Sequence, residues 1–190
     1  MKTKVFLAVL FVICLAVVCV AHSEQKKDVT DMRLDELPYK PIMKISKKEW
    51  GKLVAYAQKP GMSNKKANIY MWENLYRLHS WFYINLGDGM RPYSGVVDGR
   101  PSLMLFTDKE IAAEFIKSNK INERKETVGI AGFILPGTLK FIQSYENQGI
   151  QWVCFNMGPK GSFGGPINLL QTGYRWHMEN DPQFKKKSKD

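Results

Sequence analysis

The sequence predicts an α+β fold in which helices pack against a single mixed β-sheet, preceded by a basic helical N-terminal segment. Segments with the 3.6-residue apolar period of helices alternate along the chain with short runs of aromatic and β-branched residues, which favour strands. The dipeptide Asp98-Gly99 between two such runs predicts a hairpin. Lysines are concentrated in residues 40–66, before the first predicted strand. Helices that alternate with strands around one hairpin indicate a mixed sheet with helices packed on it.

Residues 1–23 have the features of a secretory signal peptide in the required order. Two lysines near the N-terminus precede an apolar run over residues 5–20, and small residues follow. Cleavage fits before His22 or before Glu24, and the second frame is preferred. The alternative is an uncleaved membrane anchor formed by residues 5–21, since about 20 apolar residues span a bilayer. We predict an exported protein that is periplasmic or secreted.

The rest of the chain is predicted to be one domain with two polar flanks. Residues 24–41 are interpreted as a polar linker, residues 42–178 as a single α+β domain and residues 179–190 as a basic disordered tail. Removal of the signal peptide leaves Cys154 as the only cysteine, so no internal disulfide can form. The whole chain has a formal net charge of +10, which favours acidic partners, although a merely solvated basic face is the plainer interpretation.

Two helices and a strand are predicted at the start of the domain. Ser46 and Glu49 have the spacing of a capping box, and apolar residues at helical spacing follow until Pro60-Gly61 ends the first helix. A second helix is predicted to begin near Ser63. The aromatic run over residues 81–86 then predicts a buried strand.

A hairpin followed by a helix is predicted next. Residues 93–97 and 101–106 are the two strands of the hairpin. Thr107 is predicted to cap a helix over residues 108–118, whose apolar residues form one stripe. A polar loop over residues 119–125 ends this unit.

Two further strands with a helix between them are predicted beyond that loop. Residues 128–135 form an apolar strand, and Pro136 is predicted in the first turn of the helix that follows. Residues 150–155 are apolar at nearly every position, as expected of a central strand covered on both faces. Residues 166–170 are predicted as a short edge strand or turn, and a polar tail follows.

Three segments of the domain resemble the SseB-like proteins, named for the enhanced serine sensitivity protein of bacteria. They are residues 78–84 (Leu-His-Ser-Trp-Phe-Tyr-Ile), residues 99–108 (Gly-Arg-Pro-Ser-Leu-Met-Leu-Phe-Thr-Asp) and residues 149–156 (Gly-Ile-Gln-Trp-Val-Cys-Phe-Asn). The resemblance implies a small α+β module with no established activity. A signal peptide and basic N-terminal helices depart from the cytoplasmic members of that family.

A thiol enzyme built on this chain would need Cys154 as its nucleophile and a histidine as its base. His79 and His177 are the candidate bases in the domain. The neighbours of Cys154 in the predicted central strand are apolar, and such surroundings raise the pKa of a thiol and block access to it. We predict that Cys154 is a core residue, and the sequence identifies no catalytic residue.

Metal and carboxylate chemistry have weak support in the sequence. The histidines have no second ligand at the spacing of a metal site, so neither a metal nor a cofactor is predicted. Asp88 and Asp98 lie beside glycines, which suits turns better than general base catalysis.

The glycine-rich segment, residues 158–165, is the strongest candidate for a binding site. A glycine-rich loop after a central strand exposes backbone N–H groups and lies where ligands bind α/β sheets. It lacks the Gly-Lys-Ser/Thr ending of a phosphate loop, and a flexible hairpin or edge loop is the plainer interpretation. If the segment binds a ligand, Lys160, Ser162 and Phe163 offer charge, a hydrogen bond and a stacking surface, and Asn156 lies beneath them at the strand end.

The sequence therefore favours a non-enzymatic exported binding protein. Its expected partner is an unknown protein or an acidic surface, either anionic lipid or glycan, whereas nucleic acid is disfavoured because no nucleic-acid module is present. Residues 174–177, near the lysine-rich tail, suit either a membrane interface or docking onto the domain. The alternative function is a small hydrolase or transferase with a site near residues 158–165. Polar groups that converge in a pocket would favour the enzyme, and a groove or flat patch would favour the binding protein.

Overall fold

The computed structural model describes residues 40–88, 91–123 and 127–180, and it confirms the α+β class. The predicted signal peptide, nearly all of the predicted linker and nearly all of the predicted tail lie outside the described residues. The helices are α1 (Lys47–Ala57), α2 (Asn64–Tyr76), α3 (Lys109–Ser118), α4 (Leu139–Ser144) and α5 (Leu170–Asn180). The strands are β1 (Ser80–Leu86), β2 (Ser94–Val97), β3 (Arg100–Leu105), β4 (Val128–Ile134), β5 (Trp152–Phe155) and β6 (Phe163–Pro166).

The strands form two ladders in place of the single sheet expected from the sequence. One is a four-stranded mixed sheet with the order β2-β3-β5-β6, in which β3 and β5 are parallel, and the other is the antiparallel pair β1-β4. An isolated bridge joins them, because Phe82 and Phe106 exchange two backbone hydrogen bonds of 2.8 Å. A second isolated bridge, between Asn85 and Pro92, joins β1 to the residues just before β2. The strand predicted over residues 150–155 does lie inside the sheet, as β5.

Both faces of the four-stranded sheet are covered, and the side chains of β3 and β5 alternate between two apolar clusters. Leu103 and Val153 face the larger cluster, which includes residues of α2, α4 and α5. Met104 and Cys154 face the smaller cluster, which includes Ile111 of α3. Successive side chains of a strand point to opposite faces, so a strand buried on both sides is apolar throughout.

The residues that cap α1 and α2 are those predicted from the sequence, whereas the residue that caps α3 is not. Ser46 and Glu49 form the complete capping box, and the Ser63 side chain caps α2. The cap of α3 is Asp108, whose carboxylate accepts a hydrogen bond from Glu110 N. The prediction that Thr107 is the cap is wrong because its hydroxyl donates instead to the Ile45 carbonyl, at 2.7 Å in the buried interior.

The C-terminal part of the domain is more ordered than the polar tail expected from the sequence. Helix α5 buries four residues, which lie on one stripe at helical spacing: Leu170, Tyr174, His177 and Met178. Helix α4 begins at Leu139, so Pro136 lies in the turn before it rather than in its first turn. Within the residues that the structure describes, no helix combines the length and the apolar character needed to span a bilayer.

Candidate functional site: the clefts along the glycine-rich segment

The glycine-rich segment contributes to the walls of three clefts. The first, here called the loop cleft, is a cavity of about 290 Å³ between α1, α3 and Gly158 to Lys160. The second, the middle cleft, has about 210 Å³ and lies between α1, α2 and Ser162-Phe163. The third, the tryptophan groove, has about 520 Å³ and lies between α2, α5 and Gly164-Gly165. One short segment therefore contributes residues to three adjoining recesses.

The structure divides the four residues predicted to form one site. Asn156 and Lys160 line the loop cleft, whereas Ser162 and Phe163 line the middle cleft. The division arises because the segment is held against α1 at its midpoint, where the buried Trp50 indole N–H donates to the Gly161 carbonyl at 3.1 Å. Residues on the two sides of this contact therefore lie near different ends of α1.

Both polar atoms of the Asn156 side chain form hydrogen bonds within the fold. The residue is 4 % exposed, and its backbone has a φ of 51°, in the left-handed region that asparagine tolerates better than most residues. Its Oδ1 accepts a hydrogen bond from Thr107 N at 3.0 Å, and its Nδ2 donates to Thr107 Oγ1 at 2.8 Å. Both polar atoms therefore tie the end of β5 to the segment that starts α3.

Lys160 is the charged side chain of the loop cleft that can meet a ligand. Lys47, at the mouth of this cleft, forms an ion pair with Glu114. Lys160 is exposed and forms no ion pair with any residue in the described ranges. The polar groups here thus include one neutralised pair and one cation that can meet an acidic ligand.

Cys154 lies in the smaller apolar cluster and not in a cleft. Burial raises the pKa of its thiol, and a hydrogen bond with Ser162 only partly opposes that effect. Neither histidine is arranged as its base. His79 Nδ1 contacts Ser80 Oγ at 2.7 Å, and His177 packs beside Tyr76 on the other face of the sheet. The structure agrees with the prediction that Cys154 is a core residue.

Cys154 is expected to resist alkylation in the folded protein. The raised pKa depletes the reactive thiolate at neutral pH, so iodoacetamide should modify Cys154 at least about 100-fold more slowly in the native protein than in denaturant. Mass spectrometry of the peptide that contains Cys154 measures both rates. Because the unfolded thiol ionises first, this group favours folding below the ordinary thiol pKa and loses that contribution as the pH rises through the folded value. Equal rates in the two states would contradict the core assignment.

Glycines allow aromatic rings to lie directly against the backbone in the tryptophan groove. A β-carbon on Gly165 would lie 2.6 Å from Trp72 Cζ2, and one on Gly173 would lie 2.6 Å from the Tyr76 hydroxyl oxygen. A β-carbon on Gly164 would lie 2.7 Å from Trp152 Nε1. Two of the four glycines of the glycine-rich segment, Gly164 and Gly165, thus pack against rings, and residues 163–165 belong to strand β6 rather than to a flexible loop.

Three of the five tryptophans of the chain line this groove: Trp72, Trp152 and Trp176. The other two are fully buried in the core. Trp176 is 45 % exposed, whereas Tyr174 and His177 beside it are buried against the domain. This groove was not predicted from the sequence, whose only signal for it is Trp176 beside the apolar residues that form the stripe of α5. Within residues 174–177, Tyr174 and His177 therefore dock onto the domain, whereas the Trp176 indole remains at the surface.

Comparison with known proteins adds no assignment to this geometry. No protein-family model matches the chain, and no curated protein matches it significantly. Among the described residues, no group of three histidine, cysteine or acidic side chains is placed to hold a metal ion. The resemblance to SseB-like proteins stays a prediction that rests on residues 78–84, 99–108 and 149–156.

Proposed function

We propose that the protein is a non-enzymatic, exported binding protein whose SseB-like domain holds an acidic protein partner against the clefts along the glycine-rich segment. One observation carries this proposal. Across the three clefts, the described lining residues include a single acid, Glu114, and that acid is neutralised by Lys47. Lys160 and Lys65 are exposed at the two outer clefts, so a partner that spans the clefts meets a surface of positive charge.

The state of the polar groups also favours binding over catalysis. A catalytic pocket needs polar side chains that converge on a shared space and remain available to a substrate. In the loop cleft, Asn156 bonds to Thr107 and Lys47 pairs with Glu114, so these groups are satisfied by the fold itself. The polar side chains named here are used within the fold, which favours a binding protein over the hydrolase or transferase alternative.

Binding of the purified protein to immobilised polyglutamate tests this proposal. We expect binding at about 20 mM salt that weakens at about 500 mM salt, because screening shortens the reach of exposed charges. The double variant Lys65→Gln/Lys160→Gln should bind roughly 3- to 10-fold more weakly at low salt, as expected for the loss of two exposed ionic contacts. Surface plasmon resonance gives both affinities.

The matched control is Lys109→Gln/Lys140→Gln, which removes the same charge from exposed positions outside the three clefts. This control should bind nearly as well as the unmodified protein. Equal losses in the two double variants would mean that only net charge matters and would overturn the assignment of the surface. Binding to vesicles that contain anionic lipid, with none to polyglutamate, would replace the protein partner with a membrane.

A further inference from the structure

We propose that the tryptophan groove binds a proline-rich segment of the partner in the polyproline II conformation, with acidic residues next to the prolines. This inference rests on the proposed function for the existence of a protein partner. It shares Lys65 with the surface proposed for an acidic partner, but it depends on the indoles of Trp72, Trp152 and Trp176 and not on Lys160 or the loop cleft. The two can therefore fail separately.

The indole N–H groups distinguish the tryptophans of the groove from those of the core. The two core tryptophans have internal acceptors, since Trp50 Nε1 donates to Gly161 O and Trp81 Nε1 donates to Leu75 O at 2.9 Å. The three tryptophans of the groove make no hydrogen bond with any other described residue; the N–H groups of Trp72 and Trp152 are not fully buried, and Trp176 is 45 % exposed. The groove thus contains three indoles whose N–H groups have no acceptor among the described residues.

The rings of Trp72 and Trp152 are held in place before any ligand binds. Trp72 stacks on Tyr76 with ring centres 5.1 Å apart and meets Phe163 edge to face at 5.4 Å. The Arg100 guanidinium lies 4.5 Å from the centre of the Trp152 ring. Rings that are already fixed lose little conformational freedom on binding, which favours affinity.

The lining of the groove favours a ligand that brings hydrogen-bond acceptors and apolar rings. A polyproline II segment presents flat pyrrolidine rings and carbonyl acceptors, and proline has no backbone N–H that needs an acceptor. The groove offers apolar rings and N–H donors, and its lining within the described residues contains no carboxylate. Aromatic grooves bind proline-rich segments in this way.

Two other ligand classes fit the groove less well. A quaternary ammonium or methylated lysine would stack on the indoles, but Lys65 at the rim repels a cation and no acid in the groove attracts one. A glycan fits less well because its hydroxyl groups donate hydrogen bonds as well as accept them, and the groove offers few acceptors for those donors. Lys65 instead favours an acidic residue beside the prolines.

Isothermal titration of the purified protein with a synthetic peptide tests the inference. The probe is Glu-Glu followed by about eight prolines, which extend about 25 Å as polyproline II. The reference peptide replaces the prolines with alternating alanine and glycine. We expect a Kd below about 1 mM for the probe and no measurable binding of the reference. Binding should also change the tryptophan fluorescence.

Substitutions of Trp176 separate ring stacking from hydrogen bonding. Trp176→Ala should weaken probe binding at least roughly 10-fold, as for an aromatic anchor of an interface. Trp176→Phe keeps a ring and loses the donor, and it should weaken binding roughly 2- to 10-fold. The matched control is Phe141→Ala, because Phe141 is 42 % exposed, close to the 45 % of Trp176, and lies outside the groove. It should bind the probe like the unmodified protein.

Several outcomes would overturn the inference. They are equal binding of the proline and reference peptides, no loss in a Trp176→Ala protein whose circular dichroism spectrum is unchanged, and binding of a neutral or acidic oligosaccharide in place of the peptide. Polyglutamate binding without probe binding would overturn this inference and leave the proposed function standing. Probe binding without polyglutamate binding would support the groove as the site for a proline-rich segment. It would overturn the proposal that the charged surface at Lys160 binds an acidic partner.

Discussion

Substitution of Gly164 by alanine is expected to lower the free energy of unfolding by about 3 kcal/mol or more. A β-carbon at this position would lie 2.2 Å from the Val153 carbonyl oxygen and 2.7 Å from the Trp152 indole nitrogen. The nearer atom belongs to the backbone of β5, so the clash can be relieved only if the β5-β6 pairing shifts. Chemical denaturation followed by circular dichroism measures the change, and the same shift should weaken binding in the tryptophan groove.

Gly129→Ala is the matched control for this substitution. Gly129 also lies in a strand, β4, but a β-carbon there has no atom within 4 Å. We expect its free energy of unfolding to change by less than about 1 kcal/mol, in the stabilising direction, because alanine reduces the entropy of the unfolded chain. If both variants lost the same stability, then close contact of Gly164 with β5 and Trp152 would not be the cause.

Asn156→Ala is expected to destabilise the protein by about 2–4 kcal/mol, even though the sequence suggests a ligand-binding role for this residue. The substitution removes the acceptor of the buried Thr107 N–H and the donor to the Thr107 hydroxyl. It also places alanine at a φ of 51°, a backbone conformation that asparagine tolerates better than alanine does. Denaturation with guanidinium gives the free energy of unfolding.

Asn156→Gly separates the two contributions. Glycine adopts this backbone conformation without strain, so only the loss of the side-chain hydrogen bonds should remain, at about 1–3 kcal/mol. Polyglutamate binding by the folded fraction of either variant should match that of the unmodified protein. A stable Asn156→Ala protein with impaired binding would reverse this interpretation and make Asn156 a ligand contact.

Features that depend on neighbours in the chain could be predicted from the sequence. The capping box of Ser46 and Glu49 satisfies backbone groups within one helical turn. The turn at Asp98-Gly99 requires positive φ at both residues, and the structure has φ of 49° and 75° there. The apolar pattern of β5 likewise predicted a strand with both faces covered, which places Cys154 in the core.

Features that depend on distant contacts could not be predicted. Thr107 and Asp108 are both good cap residues, and the hydrogen bond from the Thr107 hydroxyl to the distant Ile45 carbonyl leaves Asp108 as the cap. Asn156 looked available for a ligand because its partner, Thr107, is far away in the sequence. The stripe of α5 was present in the sequence, but its apolar residues are separated by polar ones and the helix has no clear start signal.

Local patterns in the sequence predict the α+β class, the central strand, the hairpin and the basic character of the helices before the sheet. The packing of distant elements separates Asn156 and Lys160 from Ser162 and Phe163, and it brings Trp72, Trp152 and Trp176 together in one groove. The range of the interactions explains this difference. Turns and caps are set by backbone geometry within a few residues, whereas a groove forms where separate elements pack, and no local pattern records which elements those are.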